Sequence, residues 1–269
     1  MNAATPPAVA DARSTGGRLI YAIGDIHGRY DLLTALLADI VADSRGRSPA
    51  GPPVLVFLGD YVDRGPHSAK VVEAVLQLQG REGFEVHALK GNHEAALLDF
   101  LADPVAAPEW LQFGGVETLI SYGVPAEALE TGDLEALRDA FLARLPLRHQ
   151  TLLEALELTF TAGDYLFVHA GVRPDIPLAD QDEDDLLWIR RDFLAASAPF
   201  EKVVVHGHTP DPEPQLMHNR LGIDTGAYAT GVLTAARLTD GEVALLQTGR
   251  APAEPAAVAT GLVFPPLQP

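Results

Sequence analysis

Five short β-rich runs in this chain each end in a glycine-flanked group of carboxylate, imidazole or carboxamide side chains. The runs cover 19–23, 54–58, 86–89, 165–168 and 203–205, and their apolar content between Gly and Pro residues predicts short buried strands. They are followed by Gly24-Asp25-Ile26-His27-Gly28, by Gly59-Asp60-Tyr61-Val62-Asp63-Arg64-Gly65 and, after Lys90, by Gly91-Asn92-His93-Glu94. The last two lead into His169-Ala170-Gly171 and His206-Gly207-His208-Thr209. One such Asp or His reads as a turn former, a helix cap or a hydrogen-bonded core residue. A succession of them does not, because glycine at each place lets the chain turn sharply and bring its backbone close to an ion or ligand.

Between the first runs, Leu32, Leu33, Leu36, Leu37, Ile40 and Val41 recur at helical spacing, as do Val71, Val72, Val75 and Leu76. The resulting βαβαβ order predicts a partly parallel sheet covered by helices, with a site at the C-terminal strand ends. Residues 94–157 read as mostly helical, broken near Pro104, Gly114 and Pro125; 232–238 and 243–247 read as an antiparallel pair turning at Asp240-Gly241. The expected fold is an α/β sandwich. Residues 1–17 read as a flexible tail, 18–249 as the domain with a helical insertion at about 95–157, and 250–269 as a Pro/Ala-rich tail that packs Leu262, Val263 and Phe264 on the body.

The absence of cysteine excludes disulfides, thiolate metal sites and thiol nucleophiles, so any metal must sit on nitrogen and oxygen. Such donors suit Mn, Fe or Zn, and a carboxylate between two donor groups can bridge ions about 3.5–4 Å apart; Asp60 is the candidate. A formal charge of -18 disfavours a nucleic-acid surface, yet bound cations can supply the positive field that a phosphate ester needs. No apolar run approaches the roughly 20 residues of a membrane helix. A cytoplasmic protein with neither nucleic-acid nor membrane partners is expected.

Taken in order, GDIHG, GDYVDRG, GNHE, HAG and GHT resemble the signature of the phosphoprotein phosphatase branch of the calcineurin-like metallophosphoesterases, nearest to bacterial and lambda-type serine/threonine phosphatases, over about residues 18–248. The resemblance implies a four-layer sandwich of two mixed β-sheets flanked by helices. It implies two divalent cations, commonly Mn, with Fe or Zn as alternatives. Asp25, His27 and Asp60 would hold the first, and Asp60, Asn92, His169 and His208 the second, with a bridging hydroxide attacking phosphorus directly. His93 resembles the general acid and Asp63 its partner, while Arg64 and a second arginine near Trp188 would bind phosphate. For that second role Arg190 is preferred over Arg191. On a helix through 185–194 it lies at the centre of the stripe made by Leu186, Leu187, Phe193 and Leu194, and a charge facing inward needs a partner or a function.

Asn92 and Tyr228 are candidate substrate contacts, and Asp224 is a candidate pocket residue, although 222–228 also reads as a turn ending a strand. His206 reads as a residue behind the ligands, and His67, His87, His149 and His218 as surface or packing residues. The acidic run 180–185 reads as a solvated loop and helix N-terminus. The implied activity is phosphomonoester hydrolysis on phosphoserine or phosphothreonine of a phosphoprotein, or on small phosphoesters. The alternative is a symmetrical dinucleoside tetraphosphate hydrolase, which has nearly the same metal motifs; Tyr61-Val62-Asp63-Arg64 favours the protein phosphatase side. A non-catalytic phosphoprotein-binding module would require loss of His93, Asp63 or a ligand, and all are present.

Overall fold

The structure, a computed structural model, describes residues 13–47 and 51–249. Most of the expected first tail and all of the second, with Leu262, Val263 and Phe264, lie outside the described residues. Residues 14–17 are no loose tail: the Ser14 N–H donates to Asp164 at 2.8 Å and the Thr15 N–H to Asp240 at 2.7 Å. These bonds pin the start of the first strand beside the hairpin that closes the domain.

Strands β1 (Ile20–Ile23), β2 (Val54–Phe57) and β3 (Glu85–Ala88) are parallel, joined by helices α1 (Tyr30–Arg45) and α2 (Ser68–Gln79). A second sheet contains β4 (Thr159–Ala162), β5 (Tyr165–Val168), β6 (Val203–His206), β7 (Gln215–Leu216) and β8 (Arg220–Gly222). Strands β9 (Thr234–Thr239) and β10 (Glu242–Gln247) return to the first, giving orders β10-β9-β1-β2-β3 and β4-β5-β6-β8-β7. Both sheets mix parallel and antiparallel pairs.

Period-two alternation explains the layering. Ile20, Ala22, Val54 and Val56 face Tyr165, Phe167, Val203 and Val205 in one core between the sheets. Tyr21, Ile23, Leu55 and Phe57 turn the other way, against Leu33, Leu36, Val71 and Val75 of the helices. Beyond the second sheet, Leu166, Val168 and Val204 pack on Leu186, Ile189 and Phe193. The outcome is the expected sandwich of two mixed sheets flanked by helices. Helices from Asn92–Ala102 to Leu147–Glu154 extend the first helical layer. No helix among the described residues is long and apolar enough to cross a membrane.

The structure adds three strands to the expected set and corrects one helix. Strands β4, β7 and β8 were not legible, because they are two to four residues long with little alternation. The helix through 185–194 does not exist as one element. It splits into Glu183–Trp188 and Arg191–Ala195, with the Arg190 backbone at φ -134°, ψ -83°.

Candidate metal centre

All five glycine-flanked groups meet at the C-terminal edges of β1, β2, β3, β5 and β6, where parallel sheets leave backbone and side chains pointing into a cleft. The turns that bring them there are strained. Of the six non-glycine residues with positive φ among the described residues, five are His27, Asp60, Asp63, Arg64 and His208. Left-handed backbone at bulky residues costs about 1–3 kcal/mol each and clusters at functional sites.

Asp60 is the hub. Its carbonyl accepts the N–H groups of Ile26 and His27 at 3.1 and 2.8 Å. Its carboxylate reaches two ways: Oδ2 lies 3.4 Å from His27 Nε2 and 3.9 Å from His93 Nε2, while Oδ1 lies 3.5 Å from His169 Nε2. Two buried groups, His27-Asp60-His93 and Asp25-Asp60-His169, bring their candidate ligand atoms within 4.8 Å of one another, and both contain Asp60. Asp25, placed on the His27 side by the resemblance, thus also lies close to His169. Asn92 Oδ1 completes the convergence, 2.8 Å from His169 Nε2 and 2.9 Å from His208 Nδ1.

The donor set fits a cation. His27 Nδ1 faces the Val62 carbonyl and His169 Nδ1 the Leu58 carbonyl, each at 2.8 Å. A carbonyl only accepts, so both rings are assigned hydrogen on Nδ1 and present a lone pair at Nε2. The Arg190 Nε–H donates to His208 Nε2 at 2.9 Å, which puts the hydrogen of that ring on Nδ1 and requires the oxygen of Asn92 opposite it. His169 Nε2 is then a lone pair aimed at an oxygen, and flipping the amide moves the conflict to His208. Protonation of His169 is opposed by burial, which lowers its pKa; burial likewise pushes His27 down to about 3. On the acidic side, burial and the neighbouring Asp224 and Asp60 raise Asp25 well above the carboxylate range, and burial pushes Asp224 up to about 6. Asp25 Oδ1 is buried with no hydrogen-bond partner. Converging lone pairs and crowded acids are what a bound cation would stabilise.

The backbone is cut to fit. A Cβ on Gly207 would be driven into Asp25 Oδ1, and one on Gly91 into Asp60 Oδ1. Gly207→Ala is therefore expected to displace Asp25 and weaken metal binding about 10–100-fold, read as metal content after desalting; wild-type content in the variant would contradict it.

His93 sits at the rim of this centre. Its Nδ1 meets Asp63 Oδ2 at 2.6 Å, and Asp63 is fixed by Trp110 Nε1 at 2.9 Å and Thr118 Oγ1 at 2.7 Å. Burial disfavours the charged ring, but the Asp60 and Asp63 carboxylates outweigh it and raise the His93 pKa. Arg64 donates to the Nε2 atoms of His27 and His93 at 2.8 and 2.9 Å and lies over the Tyr228 ring at 4.7 Å. Arg190 approaches from the opposite side through His208. Its neighbour Arg191 begins the next helix and has no hydrogen bond to a residue of the centre. Of the two arginines only Arg190 contacts the centre through a hydrogen bond, and it does so from the break between two helices and not from one helical face.

Asp224 lies beside Asp25, and Tyr228 packs edge-on against His27 at 5.4 Å. His206 turns away toward Phe193, as β6 ends there and Gly207 reverses the chain. His149 is buried against Glu73 at 2.7 Å and His87 stacks on Phe160, so both serve packing. Asp182 caps the helix starting at Glu183, and Asp185 pairs with Arg173, which accounts for the acidic run. The residue that sequence reasoning missed is Glu94. Fully buried, its carboxylate accepts N–H bonds from Asp60 and Gly91 on Oε2 (2.9 and 3.0 Å) and from Tyr61 and Val62 on Oε1 (2.8 and 3.2 Å). Its position three residues after Gly91, at the N3 site of a helix, was the available signal.

The family model described as calcineurin-like phosphoesterase matches residues 18–238. A bis(5'-nucleosyl)-tetraphosphatase of the asymmetrical type from Halalkalibacterium halodurans is 27% identical over 81% of this chain and 89% of its own. One of the same description from Bacillus thuringiensis is 30% identical over 82% of this chain and 90% of its own. Among solved structures, one described provisionally as a diadenosine tetraphosphatase aligns over 88% of this chain and 98% of its own at 21% identity and a TM-score of 0.59. A cold-active protein-tyrosine phosphatase from a psychrophilic Shewanella species aligns over 86% and 81% at 18% identity and a TM-score of 0.52.

Proposed function

The chain belongs to the calcineurin-like phosphoesterase family, and on that premise we propose that it hydrolyses dinucleoside tetraphosphates. The observation behind the chemistry is the divided carboxylate of Asp60, whose two oxygens face different histidines. Asp25, His27 and Asp60 would hold one divalent cation, and Asp60, Asn92, His169 and His208 a second. Bound there, such cations supply activated water and polarise phosphoryl oxygens. Arg64 and Arg190, on opposite sides of the centre, bind and orient phosphate oxygens through paired N–H donors. Water gives up a proton to solvent as its oxygen adds to phosphorus, the phosphoanhydride P–O bond breaks, and the departing phosphate oxygen keeps the electron pair.

The choice of substrate is supported by the names of the curated relatives, which fit the dinucleotide alternative better than a protein serine/threonine phosphatase. Their asymmetrical designation gives a mononucleotide and a nucleoside triphosphate as expected products, where a symmetrical enzyme releases two diphosphates. The sequence feature that favoured the phosphoprotein reading loses its weight: Tyr61 and Val62 are 2% and 0% exposed and belong to the core under the helices. Chromatography of the products from diadenosine tetraphosphate, beside phosphate release from a phosphoserine peptide, tests the choice. Turnover of the peptide alone would overturn it.

The role of His93 separates the substrate classes as well. An alkyl alcohol needs a proton to leave, whereas an aryl alcohol or a triphosphate is a weaker base. His93→Ala is expected to lower kcat on an alkyl phosphate about 100-fold and to cost less on an aryl phosphate or a dinucleotide. Equal losses on all of them would contradict a proton-donating role.

A further inference from the structure

Three aromatic side chains are exposed among the described residues: Phe113 at 46%, Trp188 at 43% and Tyr228 at 41%. Phe113 precedes Gly114, whose carbonyl accepts the Arg64 N–H at 3.2 Å. The Tyr228 ring is occupied by the Arg64 guanidinium and the edge of His27. Trp188 differs from both. Its indole meets His208 edge-on, with ring centroids 6.3 Å apart and planes at 86°, at the break between the helices Glu183–Trp188 and Arg191–Ala195. Its neighbours Leu186, Leu187 and Ile189 are buried, so the same short stretch has room for apolar side chains inside and still leaves its largest one in solvent. Core packing does not account for that placement; a planar apolar ligand would.

Resting on the reading of the substrate as a dinucleoside tetraphosphate, we propose that Trp188 is the platform on which one nucleobase of the substrate stacks. Arg190, two residues on, sits against His208 on the same side of the centre. Because Trp188 and Arg190 both contact His208, a phosphate held there by Arg190 would carry its own nucleoside on the side of the centre where the indole lies. That placement suits a reacting phosphate that itself bears the nucleoside, which is the asymmetrical mode of cleavage. Base–aromatic stacking tolerates any base, since every base has a π-face, so discrimination among dinucleotides by base identity is expected to be weak.

The test compares kcat/KM of the holoenzyme on diadenosine tetraphosphate and on glycerol 3-phosphate, which has no ring to stack. Trp188→Ala and Trp188→Leu are expected to lower the dinucleotide value about tenfold more than the glycerol phosphate value, the scale of a single stack, and Trp188→Phe to recover most of it. Equal losses on both substrates would overturn the platform and leave Trp188 as a support for His208. Fluorescence gives a second readout without turnover. Trp110 is 1% exposed, so quenching by small molecules reports Trp188. Adenosine 5'-monophosphate is expected to quench, and ribose 5-phosphate is not; equal quenching by both would refute the idea. Failure of the wild-type enzyme to cleave dinucleotides would sink the substrate reading alone, because the comparison of these two phosphates decides the platform by itself.

Discussion

Asp60→Asn is expected to lower kcat/KM by on the order of a thousandfold and to empty both halves of the centre together. The carboxylate contributes Oδ2 to the side of His27 and Oδ1 to the side of His169, and an amide offers one acceptor oxygen in place of two. Cations in such sites contribute several kcal/mol to the transition state, and each 1.36 kcal/mol is about a factor of ten. His169→Ala removes a donor from one side only, so it is expected to leave about half of the bound metal. Elemental analysis of the two variants checks both statements. Two ions retained in Asp60→Asn would refute the bridge.

Glu94→Ala is the second large effect, expected first in stability. Four backbone N–H groups, those of Asp60, Tyr61, Val62 and Gly91, converge on this fully buried carboxylate. Truncation leaves them unsatisfied at about 1–3 kcal/mol each, a total on the order of 5 kcal/mol, against the roughly 5–15 kcal/mol that holds a typical domain together. The melting temperature should fall by about 10–20 °C at the sensitivity of a chain this size. Because the same bonds fix the turn carrying Asp60, metal affinity should fall with it. Glu94→Gln keeps one acceptor oxygen and should land between the two. A melting temperature within about 2 °C of wild type for Glu94→Ala would show that water replaces the carboxylate without penalty.

Much of this centre could be read from the sequence, because its donors are attached to strand ends and strand ends are local features. Gly24-Asp25, Gly59-Asp60 and Gly207-His208 mark the turns with the residues that the turns require. What stayed hidden depends on three dimensions. Glu94 acts on backbone 32 to 34 residues away, and nothing in its neighbours records that reach. Tyr61 and Val62 could be taken as part of a substrate-selective motif because burial is not visible in a motif. The helical spacing that points to Arg190 assumes one continuous helix, and the structure breaks it at that residue. The Arg190 Nε–H nevertheless reaches His208 from the break between the two helices. The short strands β7 and β8 form beside β6 through pairing, which their own residues do not announce.

The most direct test is anomalous scattering from crystals of the protein grown with manganese. The account predicts two peaks about 3.5–4 Å apart, with one oxygen of Asp60 on each or a single oxygen shared between them, and with His27 and His169 on opposite sides. A single peak, or a pair that Asp60 does not touch, would contradict it.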